Sequence, residues 1–242
     1  MKHIWERKLL RLEKINVSYG IIQVIYDLDL HVKEGECVAL LGSNGAGKTT
    51  VLNAVSGTIP SQGSIYFQNQ PCAANDPSVH YERGIVQVPE GGKIFPFMTV
   101  KENLLMGAAC RDEAWEKRFE TLEWIYKIFP KLHDRSNQQS RLLSGGERQI
   151  MVVGRGLMAL PKLLMIDEPS LGLAPKILLE IYETMKVLRE QGMTILLSEQ
   201  NVSQALKLCS RGYVLENGRI VMEGSNEFLL NNEHIKQAFL GM

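Results

Sequence analysis

Three short stretches, Gly42-Ser43-Asn44-Gly45-Ala46-Gly47-Lys48-Thr49, Leu143-Ser144-Gly145-Gly146-Glu147 and Leu163-Leu164-Met165-Ile166-Asp167-Glu168, follow one another in that order along the chain. The first constrains the fold most. Its glycines let backbone N–H groups approach phosphate oxygens, its lysine neutralises terminal phosphates, and its threonine offers a hydroxyl to magnesium. That geometry needs a strand before the loop and a helix after it, so Glu36 to Leu41 reads as the strand and Gly47 to Ser56 as a helix closed by Gly57. Its N-terminal amides then point at the anion.

The third stretch is a second apolar strand ending in two carboxylates. Asp167 stands where it can hold the metal, usually through water. Glu168 comes one residue later and faces the γ-phosphate, where a water must be oriented in line and relieved of its proton. It is therefore assigned as general base. The second stretch, Ser144-Gly145-Gly146, opens a helix whose positive end suits an anion. A lone phosphate-binding loop has no use for it, and a second nucleotide-binding subunit is implied.

Composition narrows the class. Lys plus Arg equals Asp plus Glu at 27 each, so no global field draws the chain to nucleic acid or anionic lipid. A hydrophobic content of 45% over 242 residues supplies a full core. Cys37, Cys72, Cys110 and Cys209 are far apart in sequence, without metal-clip or dithiol spacing, and read as reduced fillers. The N-terminus lacks an apolar signal core, and no window approaches the roughly 18 apolar residues a membrane span needs. A cytoplasmic protein is expected, reaching a membrane only through partners.

Alternating apolar strands and amphipathic helices argue an α/β fold. About 91–154 reads as an inserted helical arm within a core of 9–90 and 155–242. In the arm, Thr99 and Glu102 form a capping box, and Trp115, Phe119, Leu122, Tyr126 and Phe129 make one apolar stripe before Pro130. Pro175 and Gly192 bound a further helix, followed by a strand from Met193 to about Ser198. Asn217-Gly218 marks a tight hairpin.

On these motifs the chain resembles the ATPase subunit of an ATP-binding cassette (ABC) transporter from Leu10 onward, and Gln149 with the residues after it continues the signature pattern. The resemblance implies a P-loop NTPase core with an antiparallel β subdomain and a helical subdomain. It implies MgATP held by Gly42, Ser43, Asn44, Gly45, Ala46, Gly47, Lys48, Thr49 and Thr50. Tyr19, in Val17-Ser18-Tyr19-Gly20, would stack on adenine, and Ser144, Gly145 and Gly146 would grip ATP on the opposite subunit. Two chains would sandwich two nucleotides head to tail. A Tyr before Gly is also a common strand-end packing residue.

Three positions depart from the family pattern. Glu90, in Val88-Pro89-Glu90, stands where most members carry a metal-sensing glutamine; its carboxylate can still supply oxygen to magnesium, and Gln87 is second choice. Gln200 stands where a switch histidine is expected and cannot carry its charge, so hydrolysis is expected to be slower and Gln200→His to raise turnover. Ser170-Leu171-Gly172-Leu173 ends without the usual aspartate, altering communication between the two sites.

These departures, with Ile94-Phe95-Pro96 and Glu199-Gln200-Asn201, resemble the ATPase subunits of branched-chain (hydrophobic) amino-acid importers, the LivF type. That resemblance implies four further partners: a distinct homologous ATPase, two membrane permeases and an extracytoplasmic amino-acid-binding protein. Importers of urea and short amides share the pattern. An ATP-gated interaction module with little hydrolysis is a separate reading, encouraged by Gln200. A soluble ABC ATPase of translation or DNA repair would carry paired cassettes or long coiled coils, and neither is present. Ile94, Phe95, Phe97 and Met98 either dock a permease loop or fill the arm's core.

Overall fold

Every residue of Cys37–Leu41, Leu163–Asp167 and Ile195–Glu199 is buried, as strands covered on both faces must be. The computed structural model describes residues 8–72, 75–170 and 175–237. In chain order these form β1 (Lys8–Tyr19), β2 (Ile22–Lys33), β3 (Cys37–Leu41), α1 (Lys48–Val55), β4 (Gln62–Phe67), β5 (Gln70–Pro71), α2 (Pro77–Glu82) and β6 (Ile85–Val88). Helices α3 (Val100–Met106), α4 (Asp112–Glu116), α5 (Arg118–Ile128), α6 (Pro130–Asp134) and α7 (Gly145–Met158) come next. The chain closes with β7 (Leu163–Asp167), α8 (Pro175–Glu190), β8 (Ile195–Glu199), α9 (Val202–Leu208), β9 (Arg211–Glu216), β10 (Arg219–Ser225), α10 (Asn226–Asn231) and α11 (Glu233–Ile235).

Two sheets result. The first is antiparallel, in the order β2-β1-β4-β5. The second runs β10-β9-β3-β8-β7-β6, parallel except for β10. The period-two alternation of β3 separates its two faces. Val38 and Leu40 join a core shared with the antiparallel sheet and α1. Cys37, Ala39 and Leu41 join the helices on the other side. Strand β3 therefore delivers its C-terminal loop from the middle of the molecule, where packing on both sides fixes it.

Local signals explain most boundaries. Thr99 and Glu102 close the expected capping box on α3. Asn217 and Gly218, at φ 47° and 76°, form the two-residue turn between β9 and β10. The expected single stripe from Trp115 to Phe129 is instead broken at Lys117 into α4 and α5, and only its second half is buried. Leu122, Tyr126 and Phe129 enter the core, whereas Trp115 and Phe119 are exposed, with the Arg118 guanidinium over both rings at 4.2 and 4.5 Å. Helix α5 ends at Ile128, just ahead of Pro130 as expected, and Pro130 then starts α6, where its missing N–H costs nothing.

The fold also joins two cysteines that the sequence separates. Cys37 and Cys209, both buried, bring their sulfurs within 2.9 Å as free thiols.

Candidate functional site

The strand ends of β3, β7 and β8 lie side by side, with Leu41 opposite Glu199 and Asp167 opposite Ser198. This is where an open parallel sheet binds ligands. The loop after β3 turns into α1 through Gly47, whose φ of 107° excludes most side chains and whose Cβ would stand 2.6 Å from Ile25 Cδ1. The Lys48 side chain folds back under this loop, donating to the carbonyl oxygens of Gly42 at 2.7 Å and Ser43 at 2.9 Å. Its third partner is the Glu168 carboxylate at 2.9 Å, and both side chains are more than 90% buried. A buried lysine held only by exchangeable oxygen acceptors is poised for phosphate oxygens, which offer the same contacts with more charge.

Asp167 is 1% exposed and accepts hydrogen bonds from Ser198 Oγ at 2.8 Å and from the Thr49 hydroxyl. Burial pushes its pKa up; the two hydroxyls and Lys48 pull it down, and the neighbouring Glu168 carboxylate pushes it up again, leaving it above the ordinary value. Lys48 is committed to Glu168, so Asp167 has only neutral hydroxyls as hydrogen-bond partners. Magnesium fits these residues: a hard cation taking one hydroxyl and one carboxylate from protein, with the rest from water and phosphate. Such an ion would neutralise phosphate charge during transfer.

Glu168 itself sits at φ 40°, unfavourable for a side-chain-bearing residue, and its N–H donates to Ser198 O at 3.0 Å. Non-glycine strain of this kind concentrates where side-chain direction matters. The strain and the Lys48 contact together aim the carboxylate at the phosphate loop.

Ser43, Asn44, Gly45 and Thr49 are exposed along that loop, whereas Gly42, Ala46 and Thr50 are buried in its base. The Gly218 N–H donates to Ala46 O at 3.0 Å, so the β9–β10 turn props the loop from behind. Tyr19, 49% exposed, places its hydroxyl 3.4 Å from Thr50 Oγ1, leaving its ring beside the start of α1.

Other sequence candidates are set apart. Ser144, Gly145 and Gly146 begin α7, and among the described residues no hydrogen bond or ion pair joins them to the phosphate loop. Ser144 and Gly145 are exposed, while Gly146 is buried against α8, where a Cβ would meet Ile177 Cγ2 at 2.1 Å. Glu90 lies half-buried in the turn after β6, without a hydrogen bond to Thr49 or Asp167 among the described residues. Gln87 is engaged by Asn53 of α1 at 3.0 Å. Gln200 is exposed just beyond β8, its N–H held by Glu199 Oε2 at 3.1 Å. Of the departure at 170–173, only Ser170 lies within the described residues; Leu171, Gly172 and Leu173 lie outside them.

The apolar cluster after Glu90 divides. Ile94 packs on the core, but Phe95 and Phe97 are 43% and 76% exposed, beneath Arg155 and Arg141 respectively. Phe95 also lines a cavity of ≈ 320 Å³ with Tyr81, Gln87, Pro89, Met106 and Arg155.

Sequence reading missed three contributors. Ser198 orients Asp167. Glu199, fully buried, binds Ser170 and two backbone amides. Glu147 completes a capping box with Ser144, for which the Ser-x-x-Glu spacing was available. The first two had no local signal, because strand register creates them.

The pattern of the family described as "ABC transporter" matches residues 25–171. The high-affinity branched-chain amino acid transport ATP-binding protein BraG of Pseudomonas aeruginosa is 43% identical, over 96% of this chain and all of that one. The lipopolysaccharide export system ATP-binding protein LptB of Haemophilus influenzae is 34% identical, over 96% of this chain and 97% of that one. Among solved structures, an ATP-binding cassette of an ABC transporter in its ADP conformation superposes with a TM-score of 0.82 at 28% identity, covering 97% of this chain and 99% of that one.

Proposed function

The chain belongs to the ABC transporter family as an ATP-binding, ATP-hydrolysing cassette, and from that premise we propose that it powers uptake of branched-chain or other hydrophobic amino acids. The full-length likeness to BraG supports this cargo. LptB, similar over nearly the same length, bears a name for a different cargo, so the cassette fold alone does not choose it.

In this reading Lys48 and Glu168 are the moving parts. An incoming γ-phosphate competes for the Lys48 ammonium, and Glu168, relieved of that partner, accepts a proton from the attacking water. Asp167 and Thr49 would hold magnesium, with Glu90 a further oxygen donor directly or by water, and Gln200 would donate a hydrogen bond beside the γ-phosphate; bound there, the ion would neutralise phosphate charge. Tyr19 offers a face to adenine, where stacking contributes on the order of 1–3 kcal/mol and selects weakly among bases.

The exposed start of α7 at Ser144–Gly145 is presented to ATP on a second cassette. The ≈ 320 Å³ cavity beside Phe95 receives a permease loop, which couples nucleotide state to transport. None of the described helices is long and apolar enough to cross a membrane, and the permeases supply the membrane contact.

The observation that carries the hydrolytic part is the buried Lys48–Glu168 contact beside Asp167. Glu168→Gln is expected to keep MgATP binding while hydrolysis falls at least roughly a hundredfold, the usual lower range for a general base. Near-normal turnover sinks the assignment. For the cargo, cells carrying Glu168→Gln should lose uptake of radiolabelled leucine and keep that of urea; the reverse pattern moves the chain to the amide importers.

A further inference from the structure

Glu199 is buried completely, yet the mechanism above does not use it. It ends β8, and its Oε2 accepts three hydrogen bonds: from Ser170 Oγ at 2.9 Å, from the Gln200 N–H at 3.1 Å and from the Asn201 N–H at 3.3 Å. Oε1 lies on the side of Tyr182 of α8, and neither Oε1 nor the Tyr182 hydroxyl closes a well-formed hydrogen bond. Burial pushes the pKa of both groups up, while the Ser170 hydroxyl, the neighbouring Tyr182 hydroxyl and the two amides pull that of Glu199 only part of the way back.

A carboxylate at such a position is costly unless its contacts repay the lost hydration. Ordinary packing could be met by an apolar side chain, as it is at Leu197 two residues earlier on the same strand. What an apolar side chain could not do is join the two turns that carry the chemistry. Ser170 stands two residues after strained Glu168, which is tied from its other side by its N–H to Ser198 O. Gln200 and Asn201 make the turn that puts an exposed glutamine beside it.

We propose that Glu199 is a positioning residue for ATP hydrolysis, a clasp whose single oxygen holds the Gln200 turn in register with the Glu168–Ser170 turn. It acts by accepting hydrogen bonds, not through charge on substrate. The inference rests on the reading that Gln200 assists the γ-phosphate and Glu168 the water.

The test is steady-state ATPase of the assembled transporter. Glu199→Leu, similar in size and unable to accept a hydrogen bond, should lower kcat at least about tenfold while the ATP KM stays within about twofold, since the phosphate-loop and Tyr19 contacts are untouched. Glu199→Gln should restore most of kcat: its carbonyl oxygen can take the same donors, and its amide can reach the Tyr182 hydroxyl.

In a Gln200→Ala background the loss from Glu199→Leu should shrink to within about twofold, the non-additivity of residues acting as a unit. Should Glu199→Leu fail to fold, Ser170→Ala in the native and Gln200→Ala backgrounds decides the same point with a smaller loss. A full kcat in Glu199→Leu, a matching rise in KM, or an equal loss in both backgrounds overturns the clasp. If Gln200→Ala alone leaves kcat intact while Glu168→Gln abolishes it, the clasp and the Gln200 role fall and the general-base reading stands.

Discussion

The phosphate loop with its strand-end carboxylates and the start of α7 are the two places proposed to meet phosphate, and they are finished to different degrees. At the first, Lys48, Asp167 and Glu168 are buried, and each is held by neighbours from another segment. At the second, Ser144 and Gly145 face solvent, and the cap joining Ser144 to Glu147 is internal to the helix. One end is therefore preorganised within a single chain, where low dielectric strengthens each contact. In the proposed reading the other, a helix tip, is completed only by ATP held on a second cassette. Gly146 shows that this tip is rigid by packing, since Ile177 of α8 occupies the space a side chain would need.

The sharpest way to break this contrast is Lys48→Ala. It removes the phosphate's cation and leaves Glu168 buried without its partner, so MgATP affinity measured calorimetrically should fall at least about a hundredfold and stability by roughly 3–5 kcal/mol. An unchanged affinity would mean that the loop is not the binding half.

Gly146→Ala comes next. Overpacking against Ile177 should cost about 1–3 kcal/mol in denaturant unfolding, and adding Ile177→Ala should recover part of it. Full independence of the two changes would remove the packing explanation.

Ser144→Ala should cost about 1 kcal/mol through the lost cap. It should leave ATP affinity of the single chain within about twofold and slow turnover only where two cassettes close. A fall in single-chain affinity would erase the division between the two ends.

The smallest effect lies away from both. Burial opposes ionisation of Glu36, but hydrogen bonds from Arg211 and from the Lys33 N–H outweigh it and hold its pKa below the ordinary value. The carboxylate's contribution is therefore present above the ordinary carboxylate range and is lost as pH falls through the depressed value. Thermal melting should show that acid-side decline flattened in Arg211→Gln, with the nucleotide site unaffected at neutral pH.

Features carried by neighbours in sequence were legible in advance: the phosphate loop between strand and helix, the Thr99–Glu102 cap, and the Asn217-Gly218 turn. Asp167 and Glu168 were legible as a pair because they end an apolar strand. What attaches to them was not. Ser198 reaches Asp167, and Glu199 reaches Ser170, only because β8 lies beside β7 in one register. The Trp115–Phe129 stripe misled for a related reason. Period alone cannot distinguish a ring sunk in the core from one sheltered by a guanidinium, and Arg118 does the sheltering here. The Cys37–Cys209 approach likewise needed the fold, since 172 positions separate the two residues.

The order of strands has a consequence for how the molecule is made. Strand β3, which ends at the phosphate loop, is flanked by β8 and β9, the second of which is completed at Glu216, and the loop's backbone is propped by Gly218. A ribosome adding 5–20 residues per second reaches those residues roughly ten to thirty seconds after the loop has emerged. For most of that interval the segment has neither flanking strand, and even once β8 is complete at Glu199 it still lacks β9 and the Gly218 prop.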